Sequence, residues 1–295
     1  MSDFEIFDRS TGKIIKEQVF GAKALSFTCN NIFGKMLTGI LLKRKFVSKF
    51  VSLKYKSSRS KKMIPAFMEQ YGISVSELDK PVSEYGSFNE FFTRKKNFCQ
   101  DGGLPPVLGG TLISPADSRL MVHKIDNGTV FSVKGQLYTV EELLQSEEEA
   151  KFYEKGYCLV FRLCPTDYHR YCFPDNGKID GLRKIKGFYR TVNTFFTSPK
   201  VHVTNYREVS TLRTENFGDV AFIEVGAMLI GKIVNTFEGT EFKQGQEKGY
   251  FEYGASTVVM LLKEGTAEID GDILEQSALG RECLVKYGEK IGCKK

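Results

Sequence analysis

Tryptophan is absent from this 295-residue chain, and histidine occurs only at positions 123, 169 and 202. A mechanism that needs an imidazole must therefore draw on His123, His169 or His202. The seven cysteines include no CxxC pair, and the opening MSDFEIFDRSTGK has no basic stretch leading into an apolar one. A reduced protein on the cytoplasmic side is expected, with most thiols as small core residues. Cys164, His169 and Cys172 lie close in sequence, but two thiols and one imidazole fall short of a zinc set, so no metal is expected. No G-x-G-x-x-G opens a helix after a strand and no P-loop is present, so nucleotide cofactors are not indicated. The longest apolar runs are far below the ~20 residues that span a bilayer.

Acidic residues are missing from one long stretch: none occurs between Glu17 and Glu69. Met1–Lys62 holds 14 Lys/Arg against 4 Asp/Glu, while the whole chain is only +6. The positive charge is thus a property of the N-terminal segment. Leu25, Cys29, Ile32, Phe33, Met36, Leu37, Ile40 and Leu41 recur at three- and four-residue steps, which puts them on one helical face. Lys43-Arg44-Lys45 interrupts, and Phe46, Val47, Phe50, Val51 and Leu53 resume the pattern. Such a stripe suits an anionic membrane surface, a helical subdomain with a solvated basic face, or nucleic acid. No nucleic-acid motif accompanies it, and the membrane reading is preferred.

What is plentiful is glycine, with 28 residues, and phenylalanine, with 24. The spacing predicts a helix near 64–71, another with Ser87 as N-cap and Glu90 three residues on, and a change to β texture after Gly102-Gly103-Leu104-Pro105-Pro106. Strands are expected at Leu120–Ile125, Thr129–Val133, Tyr157–Leu163, Ile185–Thr191, Val209–Thr214, Val220–Val225, Lys232–Phe237 and Thr257–Leu262, with one helix over Val140–Tyr153. The fold class is α+β: basic amphipathic N-terminal helices, then a Gly-rich, mainly antiparallel β core. The expected division is a helical membrane-docking region at 1–100 and a catalytic core at 101–295.

Three segments hold residues suited to chemistry. Ser114-Pro115-Ala116-Asp117-Ser118 is a turn carrying one carboxylate. Cys164-Pro165-Thr166-Asp167-Tyr168-His169-Arg170 holds one of the three histidines. Tyr253-Gly254-Ala255-Ser256-Thr257-Val258-Val259 is a small-residue turn feeding an apolar strand. Singly, each reads as an ordinary turn. In this order, and with Ser87–Arg94, Thr191-Val192-Asn193 and Val225-Gly226-Ala227 with Gly231, the chain resembles the phosphatidylserine decarboxylase family, closest to its clostridial-type bacterial branch.

That resemblance implies a precursor that cuts itself between Ala255 and Ser256. Ser256 Oγ would attack the Ala255 carbonyl, with His169 as base and Asp117 orienting the imidazole. Elimination and hydrolysis would leave a β chain, 1–255, and an α chain, 256–295, that begins with a pyruvoyl cofactor. A Schiff base between this pyruvoyl and the amine of phosphatidylserine would serve as electron sink when CO₂ leaves, giving phosphatidylethanolamine. The substrate would lie in an anionic membrane, with the enzyme peripheral on the cytoplasmic face. No nucleic-acid partner is expected, and a homo-oligomer stays open. The chain departs from the pattern twice. Ala255 stands where Gly is common, which narrows the backbone geometry before the serine. Cys172 stands where many relatives carry a second His, so Cys172 or His202 is an auxiliary candidate; His202 reads more simply as a partly exposed strand residue and His123 as structural. Two rival readings remain: a pyruvoyl-dependent decarboxylase of a soluble amino acid, and an unprocessed, noncatalytic lipid-binding relative.

Overall fold

The run Ser256–Leu262, STVVMLL, is buried at every position. A strand with no polar face to offer water must lie between two packed layers. In the computed structural model, which describes residues 5–17, 53–96, 109–133, 136–187, 201–226, 232–253 and 256–295, it sits inside a ten-stranded sheet. The strand order is Glu241–Phe242, Gly177–Ile185, Arg207–Thr214, Gly218–Gly226, Ser256–Leu262, Tyr157–Leu163, Ser118–Lys124, Glu282–Val285, Glu5–Asp8, Lys13–Lys16. Glu5–Asp8 runs parallel to Glu282–Val285; the other neighbours are antiparallel.

Alternation along the central strand divides the core. Val258, Met260 and Leu262 join Phe161, Leu163, Tyr171, Phe222 and Phe251 on one face. Val259 and Leu261 join Val140, Leu143, Leu144, Ile223 and Val225 on the other. Small three-stranded sheets pair Glu247–Phe251 with Ile233–Asn235 and Arg170–Cys172, and Lys290–Lys294 with Ala267–Ile269 and Thr111–Ile113. A third cluster joins Ile64, Phe67, Met68, Tyr85, Phe88, Phe91 and Phe92 of the helical region to Tyr253. Helix Ile64–Tyr71 has its proline in the first turn and ends at Gly72, whose φ of 66° makes the left-handed cap. Helix Phe88–Phe92 starts at Ser87, whose Oγ accepts from Glu90 N. The Glu90 carboxylate turns instead to Gly86 N, at 2.7 Å.

The α+β class and the antiparallel core agree with the sequence, but several bounds differ. Residues 5–16, inside the span expected to be helical, form the outer hairpin of the large sheet. The helix expected over Val140–Tyr153 is two, Val140–Leu144 and Glu147–Lys151. Gln145 adopts φ 53° between them and Ser146 Oγ caps the second by accepting from Glu149 N. A strand runs over Gly177–Ile185, ahead of the one expected over Ile185–Thr191, of which residues 188–191 lie outside the described residues. Gly181, at φ 74°, is the extra residue of a bulge opposite Ser210 and Thr211, and this bend hid the strand pattern. The amphipathic stripe from Leu25 to Val51 lies outside the described residues. Among the described residues no helix is long and apolar enough to cross a membrane.

A buried ion pair ties the large sheet to the layer above it. Lys248 Nζ donates to Glu224 Oε1 and, at 2.8 Å, to Asn235 Oδ1, with both charged side chains essentially inaccessible. Burial pushes the Glu224 carboxyl up, against the opposing pull of Lys248. Removing only one partner strands a charge in the core. Lys248→Met should therefore cost about 3–5 kcal/mol in chemical denaturation, and adding Glu224→Gln should recover part of that loss.

Candidate active site

Ser256 is the first residue of the central strand, and its register partners are Gly226 and Leu163, the last residues of the two flanking strands. Asp117 immediately precedes Ser118, which opens the strand beside Tyr157–Leu163. One end of the sheet therefore gathers Ser256, the Asp117 turn and the loop 164–169 that follows Leu163. Ser256 is fully buried, and its Oγ has no hydrogen-bond partner among the described residues. A buried hydroxyl without a partner is costly, and such a cost is most often tolerated where the group has a chemical role. Gly254 and Ala255, on the other side of the expected cut, lie outside the described residues.

His169 is likewise fully buried. Its ring lies 3.9 Å, centroid to centroid, from Phe92, and Phe92 packs edge-on against Tyr253 at 5.0 Å. The His169 carbonyl accepts from Phe251 N at 2.9 Å. These contacts set His169 beside the chain that leads into Ser256. Nδ1 is 2.9 Å from the Asp167 carbonyl oxygen. A carbonyl only accepts, so Nδ1 carries the proton and the lone pair of the neutral ring falls on Nε2.

Asp117 does not supply that bond. Its Oδ2 accepts from Lys96 Nζ at 2.7 Å and its Oδ1 from Tyr287 N at 2.8 Å. Burial opposes its charge, yet Lys96 and Lys286, with the two hydrogen bonds, hold the carboxyl below its ordinary range. The orienting role expected for Asp117 thus passes, for the ring nitrogen, to the backbone of Asp167. Cys172 is what lies against the Asp117 turn: its N–H donates to the Pro115 carbonyl at 2.9 Å. Its thiol packs with Tyr168 and Tyr287, and burial pushes it up to about 12. Position 172 is therefore a neighbour of the Asp117 turn and is closed to solvent.

Lys96 and Tyr287 were not among the residues singled out from sequence. Lys96 lies in the Ser87–Lys96 stretch as an ordinary surface cation would, and Tyr287 is 170 residues from Asp117. His202 lies in a short helix, Val201–Thr204, and not in a strand. Thr191-Val192-Asn193, Ala227 and Gly231 lie outside the described residues. Among the described residues no cluster of three metal-ligating side chains occurs.

The sheet register thus brings Ser256, the Asp117 turn and the His169 loop to one end of a mainly antiparallel sheet. The family model for phosphatidylserine decarboxylase matches residues 88–293. A phosphatidylserine decarboxylase proenzyme of Clostridium botulinum (strain Alaska E43) is 39% identical over 294 residues, covering 98% of this chain and 99% of that protein. Proenzyme 2 of Clostridium acetobutylicum is 42% identical over 293 residues, 97% of each chain, and the proenzyme of Clostridium beijerinckii is 38% identical over 294 residues. The chain belongs to the phosphatidylserine decarboxylase family.

The third histidine follows different physics. His123, in the strand Ser118–Lys124, is pushed down to about 4 by burial. Unfolding lets it take a proton at about 6.5. Its contribution to stability is therefore present above that value and is lost as pH falls toward about 4. The parent's melting temperature should fall across this window, and His123→Gln should fall less, as read by thermal melts over the same pH series.

Proposed function

We propose that this chain is a phosphatidylserine decarboxylase precursor that matures by cutting itself before Ser256. The observation that carries the reading is the fully buried Ser256 Oγ at the start of the central strand, without a hydrogen-bond partner among the described residues. The loop that carries His169, whose Nδ1 is bonded to a carbonyl, follows the neighbouring strand at the same end of the sheet. Ser256 Oγ gives its proton to His169 Nε2 and bonds to the Ala255 carbonyl carbon as the C–N bond to Ser256 breaks, leaving an ester. Loss of the Ser256 Cα proton then expels the Ala255 carboxylate. Water converts the resulting dehydroalanine, with release of ammonia, to the pyruvoyl group. Only serine at 256 provides this route; threonine would give a different ketone and alanine cannot attack.

A pyruvoyl group at position 256 fits the residues present, since the orphaned hydroxyl it replaces sits in a dry, fully enclosed position. When formed, it supplies the electron sink for loss of CO₂ from the substrate. The protein supplies the rest. Both faces of the strand are sealed from water, and His169 can hold or return a proton. Lys96, paired with Asp117, places a cation at the same end of the sheet.

The docking surface we assign to the acid-free basic span has support in where its flanks attach. Glu17, just before it, pairs with Arg119 and Arg162 beside the loop 164–169. Tyr55 and Lys56, just after it, meet Tyr253 at 4.1 Å between ring centroids and Glu252 at 2.7 Å. Both described flanks of the span thus lie at the end of the sheet where Ser256 lies. Peripheral attachment at the cytoplasmic face would bring a phospholipid head group to this end while its acyl chains stay in the bilayer.

Purified protein should show an α fragment of 40 residues that begins at position 256 and is blocked by pyruvoyl in mass spectrometry. Ser256→Ala should remain one inactive chain, and Ala255→Gly should mature at least as fast as the parent. A fully active preparation consisting of intact chain would overturn the reading. For the membrane, replacing Lys43, Arg44 and Lys45 with Glu should weaken binding to phosphatidylglycerol vesicles by roughly 1 kcal/mol per charge removed while leaving cleavage unchanged. Equal binding of the parent to neutral and anionic vesicles at low salt would remove the basic face from this role.

A further inference from the structure

The loop that carries His169 is closed by its own aspartate. The strand ends at Leu163, and Asp167 N donates to the Cys164 carbonyl at 2.9 Å. The Asp167 Oδ2 accepts from Cys164 N at 2.7 Å. The same carboxylate takes a hydrogen bond from the Arg119 guanidinium. The backbone carbonyl of this residue is the group that holds His169 Nδ1. Side chain and carbonyl of one residue thus connect the imidazole to the sheet.

Arg119 is itself held from the far end of the chain. Its Nε lies 2.6 Å from Glu17 Oε1, and Glu17 Oε2 pairs with Arg162 at 2.9 Å. Arg162 pairs in turn with Glu282, with Nε to Oε1 at 2.9 Å. The Cys164 thiol donates to Glu17 Oε1 at 3.0 Å and accepts from Arg162 at 3.1 Å. All five charged side chains are at most a tenth exposed. In such a dry setting, charge-assisted hydrogen bonds are short and directional, and a network with its partners in place is rigid. None of this is needed merely to fill the core, where apolar residues of similar volume would serve as well.

We propose that Asp167 is a positioning residue for His169, locked by Arg119 and Glu17, which keeps the imidazole in the tautomer with Nδ1 protonated so that Nε2 is the basic nitrogen. The value of this lock for maturation rests on the self-cleavage reading above, but the lock itself can be read without any cleavage.

The test uses the full chain carrying Ser256→Ala, labelled with ¹⁵N-histidine. His169 signals are assigned by their loss in His169→Gln. In the Ser256→Ala chain, the ring should show a protonated Nδ1 and an unprotonated Nε2. Asp167→Ala should shift both signals toward the values of exchanging tautomers. Asp167→Asn retains an acceptor for Cys164 N but loses the charge that meets Arg119, and should fall between. Thermal melts of each variant separate this effect from global unfolding. In the chain that retains Ser256, Asp167→Ala should slow cleavage by about tenfold or more, and Glu17→Gln by less. An unprotonated Nδ1 in the Ser256→Ala chain, or unchanged His169 signals in both Asp167 variants while they remain folded, overturns the proposal. A chain retaining Ser256 that never cuts, yet whose His169 signals respond as expected, leaves the lock standing and removes the self-cleavage reading instead.

Discussion

A strand buried on both faces cannot shift without unpacking two cores at once, and Ser256–Leu262 is such a strand. Its neighbours Gly218–Gly226 and Tyr157–Leu163 hold it by backbone hydrogen bonds along its whole length. The location of Ser256 is therefore set by the sheet and not by the turn before it. That is the condition a buried hydroxyl needs if it is to act on the adjacent peptide. Intramolecular attack depends on approach geometry, and a fixed nucleophile avoids the entropy of searching for it.

The other side of the same turn is held by different physics. Glu252 pairs with Lys56, Tyr253 N donates to Asn89 Oδ1 at 3.2 Å, and the Tyr253 ring lies among Tyr55, Phe88 and Phe92. The helical region is thus a clamp on residues 252–253, while the sheet is a clamp on 256 onward. Phe92 belongs to both this clamp and the wall of His169. The packing that holds Tyr253 therefore also holds the imidazole.

The β core was legible because its central strands are long and strongly patterned: Tyr157–Leu163 has the bounds expected, and Ser256–Leu262 differs by one residue. Short strands such as Arg170–Cys172 and Glu241–Phe242 were not, since three or two residues cannot display a period. Glu5–Asp8 escaped because its partner, Glu282–Val285, is at the opposite end of the chain. Among the candidate residues, Ser256 and His169 are the ones that local motifs single out, and both are fully buried. The partners of Asp117 were not, because Lys96 and Tyr287 N reach it only after folding. Asp167 stands within the 164–170 motif, but its contact with His169 Nδ1 is made by a backbone carbonyl, which a sequence does not display.

Residues 5–17 fall outside the stretch matched by the family model, 88–293, yet they touch two regions near the candidate site. Arg9 pairs with Asp270 at 2.9 Å, Asp272 at 2.6 Å and Glu289 at 2.7 Å, all in the segment that follows Ser256. Glu17 meets Arg119 and Arg162 beside the loop 164–169. With burial working against its charge, the two arginines still hold the Glu17 carboxyl below its ordinary range. A short hairpin with exposed Ile14 and Ile15 at a sheet edge has little apolar area with which to hold itself down. Its attachment must come largely from these ion pairs and from the parallel pairing to Glu282–Val285. The consequence is a strap that binds the segment after Ser256 to the segment before it without using the turn between them. A break between residues 253 and 256 would remove one covalent link among several physical ones.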